Sequence, residues 1–216
     1  MEEYRHAARC ALKAGFDGVE IHCANGYFLD NCVQTCSNQR TDAYGGSAEN
    51  RLRLVLEVID VVKEVFPINR IAIRVSPNGV FNSMGSTDNI ETFSYMLSHL
   101  NDNMAYLHIM DGLAFGYHEK CPVFTLDMAR AHFKGTIMAN CGYDKDSAEA
   151  AVSGGKADMV AFGRSYIANP DLPARFANDW PLAVAKNDIF YVYPGFPEGN
   201  PNIGYTDFPV YTPPSV

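Results

Sequence analysis

No stretch of the 216-residue sequence approaches the ~18 consecutive apolar residues of a membrane-crossing helix. The amino terminus opens on Met1-Glu2-Glu3 and lacks an apolar signal core, so neither secretion nor membrane insertion is indicated. An excess of positive charge is missing too. Seventeen Lys and Arg against 25 Asp and Glu give a net charge of −8, which argues against a nucleic-acid phosphate backbone as partner. A small anion could still bind locally. No Gly-x-Gly-x-x-Gly opens a helix, which disfavours a dinucleotide-binding doubly wound fold. The six cysteines (Cys10, Cys23, Cys32, Cys36, Cys121 and Cys141) contain no Cys-x-x-Cys pair. Cys32 and Cys36 have no matching second pair, so no metal site is expected and the thiols read as those of a reduced, cytoplasmic protein.

What is present suits one domain over residues 1–216, with an irregular tail from about residue 181 that is rich in Pro, Gly and Tyr. At 47% hydrophobic and 19% charged residues, the chain is able to bury a sizeable core. Helix and strand patterns alternate. Residues 2–14 read as a helix stopped by Gly15, and 17–22 as a strand followed by a long loop. Ser47 is placed to cap a helix whose stripe is Leu52, Val55, Ile59, Val62 and Phe66. A strand over 70–75 follows, then a helix capped by Thr87 with Ile90, Phe93, Leu97 and Leu100 on its apolar face. Strands over 105–110, 136–140 and 158–162 alternate with helices over 125–133 and after Asp146, where Asp146 and Glu149 have capping-box spacing.

Five strands separated by helices predict a parallel sheet with right-handed crossovers. An eight-fold barrel typically takes about 250 residues, and five βα units cannot close one. The expected class is therefore α/β, a partial TIM (β/α)8 barrel.

Chemistry concentrates directly after the first predicted strand, in His22-Cys23-Ala24-Asn25-Gly26-Tyr27. Barrel enzymes carry their reacting groups at the carboxyl ends of strands. His22 and Asn25 can donate to an oxygen that gains negative charge, and Tyr27 can act as a general acid. The plainer alternative is a hydrogen-bonded strand-end histidine and a packing aromatic. Arg74 lies in an apolar run with Ile71, Ile73 and Val75 and needs a partner if buried: an anionic cofactor edge or a carboxylate from a neighbouring strand. Cys141-Gly142 and Gly163-Arg164 follow consecutive strands, where small residues let backbone N–H groups approach a phosphate and Arg164 adds charge. Two tight turns and a surface arginine are the alternative there.

Several stretches together resemble the Old Yellow Enzyme family, the FMN-dependent ene-reductases that include the oxophytodienoate reductases. They are Ala14-Gly15-Phe16-Asp17-Gly18-Val19-Glu20-Ile21-His22, Asn25-Gly26-Tyr27, Arg40-Thr41-Asp42-Ala43-Tyr44-Gly45-Gly46-Ser47, Arg74-Val75-Ser76-Pro77, Phe162-Gly163-Arg164 with Ile167-Ala168-Asn169-Pro170-Asp171-Leu172, and Gly204-Tyr205-Thr206-Asp207-Phe208-Pro209. The resemblance implies that His22 and Asn25 bind the carbonyl oxygen of an enone or enal. It implies that Tyr27 protonates the α-carbon after the flavin delivers hydride to the β-carbon. Arg74 would meet the pyrimidine edge of FMN, while Gly142, Gly163, Arg164 and the Cys141 backbone N–H hold its phosphate. Tyr205 would line the substrate pocket, and NADPH, or NADH, would be the reductant.

The resemblance also makes the strand of His22 the fourth of eight. Three strands, with a threonine and a glutamine that contact the ring, would precede it. A chain without them would expose the edge of its first strand and invite self-association. A non-catalytic truncated paralogue, or a gene-model fragment that binds flavin or a partner weakly, is the alternative reading. Another phosphate-binding barrel enzyme, such as an isomerase, fits the loop 22–27 and the Tyr205 motif less well.

Overall fold

Five short strands form one parallel sheet: β1 (Val19–Cys23), β2 (Ile71–Val75), β3 (Leu107–Met110), β4 (Ile137–Asn140) and β5 (Met159–Ala161). Their spatial order is their chain order, β1-β2-β3-β4-β5. Consecutive βα units in a barrel wall are laid down in this way. The computed structural model describes residues 1–113, 119–184, 204 and 206–213. These fall into two compact units, Met1–Ala161 and Phe162–Val216.

In the first unit, α1 (Glu2–Lys13) precedes β1, and α2 (Phe28–Val33) and α3 (Ala48–Lys63) lie between β1 and β2. The helices α4 (Asn89–His99), α5 (Leu126–His132) and α6 (Lys145–Ser153) follow the next three strands in turn. Alternation sorts each strand's side chains onto two faces. Ile21, Cys23, Ile73, Val75, Leu107, Ile109, Ile137 and Ala139 are buried in one cluster with Val55, Ile59 and Val62 of α3, Phe93 and Leu97 of α4 and Ala129 of α5. The opposite face carries the polar residues. There the register sets His22 beside Arg74, and Arg74 beside His108.

Local signals explain most element ends. The Ser47 hydroxyl accepts the Asn50 amide and starts α3 as expected. The start of α4 differs. Asp88, not Thr87, is its N-cap residue, and the Asp88 carboxylate is taken up by Thr35, Thr92 and Arg51. The capping box of α6 is formed by Asp144 and Ser147, two residues before the expected Asp146 and Glu149. Within the stretch expected to be loop, α2 forms a short helix whose Leu29 and Val33 enter the core.

The second unit holds α7 (Arg164–Ala168) and α8 (Leu172–Ala177). Buried Arg175 pairs with Asp171 at 2.6 Å and donates to the carbonyls of Pro181 and Pro209 at 2.8 and 2.9 Å. Among the described residues no helix is long and apolar enough to cross a membrane. None of the six cysteines forms a disulfide.

Candidate active site

β1 delivers His22 to the polar face because Ile21 and Cys23, on either side of it, are drawn into the core. The chain then turns sharply through Asn25 (φ 58°) and Gly26 (φ 67°), both in the left-handed region. A side chain at Gly26 would strike the Cβ of Asn82 at 2.6 Å and the Phe81 carbonyl at 2.8 Å, so only glycine fits there. Nearly every backbone group of this turn has a named partner. The Asn25 N–H donates to Ser76 Oγ (2.7 Å), and the Asn25 carbonyl accepts from Asn82 Nδ2 (3.0 Å). The Gly26 N–H donates to Asp30 Oδ2 (2.8 Å), and the Gly26 carbonyl accepts from Asn31 Nδ2 (2.6 Å).

The turn brings the His22 and Tyr27 rings to 5.4 Å between centroids. Withdrawal from water, aided by the positive charge of Arg74, pushes the His22 imidazole below its ordinary value. At neutral pH the ring is therefore uncharged and carries a single N–H. An imidazole, a carboxamide and a phenol thus sit on one fixed turn, two of them able to donate to an oxygen and the third able to surrender a proton.

Arg74 stands beside His22 on β2. Its Nη2 donates to Asn140 Oδ1 on β4 at 3.0 Å, and Asn140 in turn donates to the Ala161 carbonyl. Among the described residues no carboxylate hydrogen-bonds to it. Glu20 on the neighbouring strand is engaged instead by His108 Nδ1 at 3.0 Å. Burial works to raise the Glu20 carboxyl. The bonds from His108 and Tyr106, with the charges of His108 and Arg74, hold it below its usual range nonetheless. Two buried nitrogens on adjacent strands, Arg74 Nε and His108 Nε2, have no hydrogen-bond partner among the described residues. A buried polar nitrogen left in that state is costly unless something fills it.

At the end of β4, Cys141 and Gly142 both adopt φ of 88°. The space beside the Gly142 Cα is open. Tyr143 pins the turn through a 2.6 Å hydrogen bond from its phenol to Asp111. Burial, reinforced by that carboxylate, pushes the Tyr143 phenol well above its ordinary value, and burial also raises Asp111.

The structure therefore places His22, Asn25, Tyr27, Arg74, Cys141 and Gly142 within the first unit, all at or next to the carboxyl ends of strands. Gly163 and Arg164 belong to the second unit, where Gly163 caps the five-residue α7. Tyr205 lies outside the described residues. The sequence reading did not single out Asp30, Ser76, Asn82 or His108. Ser76 and His108 carried a legible signal, since one directly follows a predicted strand and the other lies within one. Asp30 and Asn82 carried none.

Residues 1–183 match the NADH:flavin oxidoreductase / NADH oxidase family. The putative 12-oxophytodienoate reductase 5 of Oryza sativa subsp. japonica is 41% identical, over 97% of this chain and 55% of that protein. The 12-oxophytodienoate reductase 2 of Arabidopsis thaliana is 40% identical, again over 97% of this chain and 55% of its own length. Among solved structures, morphinone reductase superposes with a TM-score of 0.87 at 38% identity, covering 97% of this chain and 55% of that one. The old yellow enzyme homologue from Zymomonas mobilis gives 0.87 at 37% identity, covering 97% and 58%. The chain thus spans little more than half the length of the proteins it matches. On the extent of these matches, the chain belongs to the NADH:flavin oxidoreductase / NADH oxidase family, the family of the Old Yellow Enzymes.

Proposed function

We propose that this chain carries the substrate-activating half of an FMN-dependent ene-reductase that reduces the C=C bond of enones and enals with NADPH or NADH. The single observation that carries the reading is the turn at the end of β1, which holds His22, Asn25 and Tyr27 together beside Arg74.

The residues present suit FMN. The buried Nε of Arg74, without a partner among the described residues, is the donor that an electron-rich ring edge requires, and the open space beside Gly142 suits a phosphate. Gly163 and Arg164 are assigned to the same phosphate by the family resemblance. Bound FMN would supply hydride to the β-carbon of the substrate.

The protein's own contribution is then electrostatic and protonic. His22 and Asn25 donate hydrogen bonds to the carbonyl oxygen and stabilise the negative charge it gains. The uncharged His22 ring can do so without competing for the proton that Tyr27 must deliver. Tyr27 gives that proton to the α-carbon, and solvent restores it. Tyr205 is assigned to the substrate pocket by resemblance alone. Cysteines outside any disulfide fit a cytoplasmic setting, and the β1 edge, paired on one side only among the described residues, supports self-association.

The test is direct. The purified chain is titrated with FMN while flavin fluorescence is followed, then supplied with NADPH and 2-cyclohexenone. Saturable quenching and enone-dependent NADPH oxidation are expected. No saturable binding at millimolar FMN would sink the reading for this chain.

A further inference from the structure

The carboxylate of Asp30 is completely buried and has no part in the chemistry described above. Three donors converge on it. Gly26 N–H reaches Oδ2 at 2.8 Å, Gln34 Nε2 reaches Oδ1 at 2.9 Å, and the Ser76 hydroxyl reaches Oδ2 at 3.4 Å. That same hydroxyl accepts the Asn25 N–H at 2.7 Å. Both amides at the left-handed corner therefore end on one carboxylate, Gly26 directly and Asn25 through Ser76.

A local helix-capping role explains only part of this. Asp30 lies in the first turn of α2, and a bond back to Gly26 is what a capping acid makes. Capping acids work at the solvated surface, however, and need no partner 46 residues away at the end of another strand. Burying a carboxylate is expensive unless its lone pairs are filled, so a neutral residue would be the cheaper choice for a cap. Ser76 also lies two residues beyond Arg74 on the same strand end. Gln34, held by Asp30 on one side, accepts from Ser86 on the other at 3.3 Å. The acid thus joins three segments: the turn after β1, the end of β2 and the loop before α4.

We propose that Asp30 is a positioning residue of the candidate site. Its carboxylate fixes the Asn25-Gly26 corner, and so aims the Asn25 carboxamide and the Tyr27 phenol at a bound carbonyl compound. The inference rests on the ene-reductase reading for what the corner is aimed at, but not for the clasp itself. A change to asparagine keeps the volume and places an NH2 group where an acceptor stood, which opposes one of the converging donors.

Two measurements decide it. Amide hydrogen exchange needs no cofactor. In D30N the Gly26 and Asn25 amides should exchange at least tenfold faster, while Ile73 and Leu107 in the sheet keep their rates. Unchanged Gly26 and Asn25 rates, or a uniform rise across all amides, overturns the proposal. If D30N does not fold, Ser76→Ala serves. It cuts only the Asn25 leg, so Asn25 should exchange faster with Gly26 unaltered, and equal rates for both would overturn the relay.

The second measurement is calorimetric titration of the FMN-loaded chain with 4-hydroxybenzaldehyde. D30N should bind at least tenfold more weakly than the parent with FMN affinity retained, and equal affinity refutes the aiming role. Should the parent itself bind no phenol, the ene-reductase reading falls while amide exchange still decides the clasp.

Discussion

The Arg74 guanidinium reaches across β3 to donate to Asn140 Oδ1 at 3.0 Å, although β2 and β4 are not neighbours in the sheet. On the intervening strand His108 lies in register with Arg74 and is hydrogen-bonded to Glu20. Arg74 is thereby anchored at its tip, while its buried Nε has no hydrogen-bond partner among the described residues. A rigid cation presenting a spare donor beside His22 couples the proposed flavin contact to the protonation of the imidazole.

That coupling gives a first prediction. Burial and the Arg74 charge both hold His22 below its ordinary value of 6.5. In Arg74→Met only the second cause disappears, so the His22 titration midpoint should rise, measured by NMR of the ring protons. The sign for stability follows from linkage. Between the lowered folded value and 6.5 the unfolded chain binds more protons, so stability increases as pH rises through that window. The increase should be smaller in the Arg74→Met variant. FMN affinity should fall by about tenfold or more, the scale of losing a hydrogen bond to a charged group. An unmoved midpoint would contradict the electrostatic link.

Tyr27→Phe tests the proton donor. The His22 and Tyr27 rings are 5.4 Å apart, and the change to phenylalanine preserves their packing. Loss of a positioned general acid costs about 10²–10⁴ in rate. Stopped-flow traces should show that loss in enone-dependent reoxidation, with the reduction of flavin by NADPH nearly unchanged. Equal slowing of both half-reactions would assign Tyr27 to binding or folding.

Cys141 adopts φ of 88°, where a side chain crowds its own backbone. The left-handed conformation costs a residue with a Cβ roughly 1 kcal/mol relative to glycine. Cys141→Gly should therefore gain up to about 1 kcal/mol in urea unfolding, less what the freer unfolded chain takes back. Gly142→Ala, at the same φ, should lose about 1 kcal/mol even though its Cβ would meet open space. Opposite signs at adjacent positions would show that backbone strain, not side-chain packing, governs the proposed phosphate turn.

These predictions also mark what a sequence can disclose. The order of strands, the apolar stripe of α3 and the Ser47 cap were legible because each depends on periodicity or on a side chain three residues from its partner. So was the closeness of His22, Asn25 and Tyr27, which follow one another on the chain. The caps at Asp88 and Asp144 were misplaced because each competes with a capping-type neighbour one or two residues away, and at Asp88 tertiary partners decide between them. Thr35 and Arg51 claim Asp88 from distant parts of the chain. Asp30 escaped notice for the same reason: its meaning lies in Ser76, 46 residues away. The partner of Arg74 turned out to be a carboxamide two strands over, a contact that no spacing rule encodes.

Arg51 carries the last prediction. Its side chain is buried, and its guanidinium donates to the carbonyls of Val33 (2.8 Å) and Gly46, to Thr92 Oγ1 (2.7 Å) and to Asp88 (3.2 Å). One cation thus ties the end of α2 and the loop before α3 to the first turn of α4. Arg51→Met keeps much of the volume but leaves Asp88, itself largely shielded, without its cation and two carbonyls without donors. Breaking a buried pair by removing one partner costs about 3–5 kcal/mol, and the remaining solvent access of Asp88 places the expected loss near the lower figure, about 3 kcal/mol. Urea unfolding should show it as a shifted midpoint with an unchanged slope. The double variant Arg51→Met with Asp88→Asn should recover part of the loss, because the unpaired charge is then gone. Failure to recover any would locate the cost in the carbonyls, and so in the long loop that the guanidinium closes.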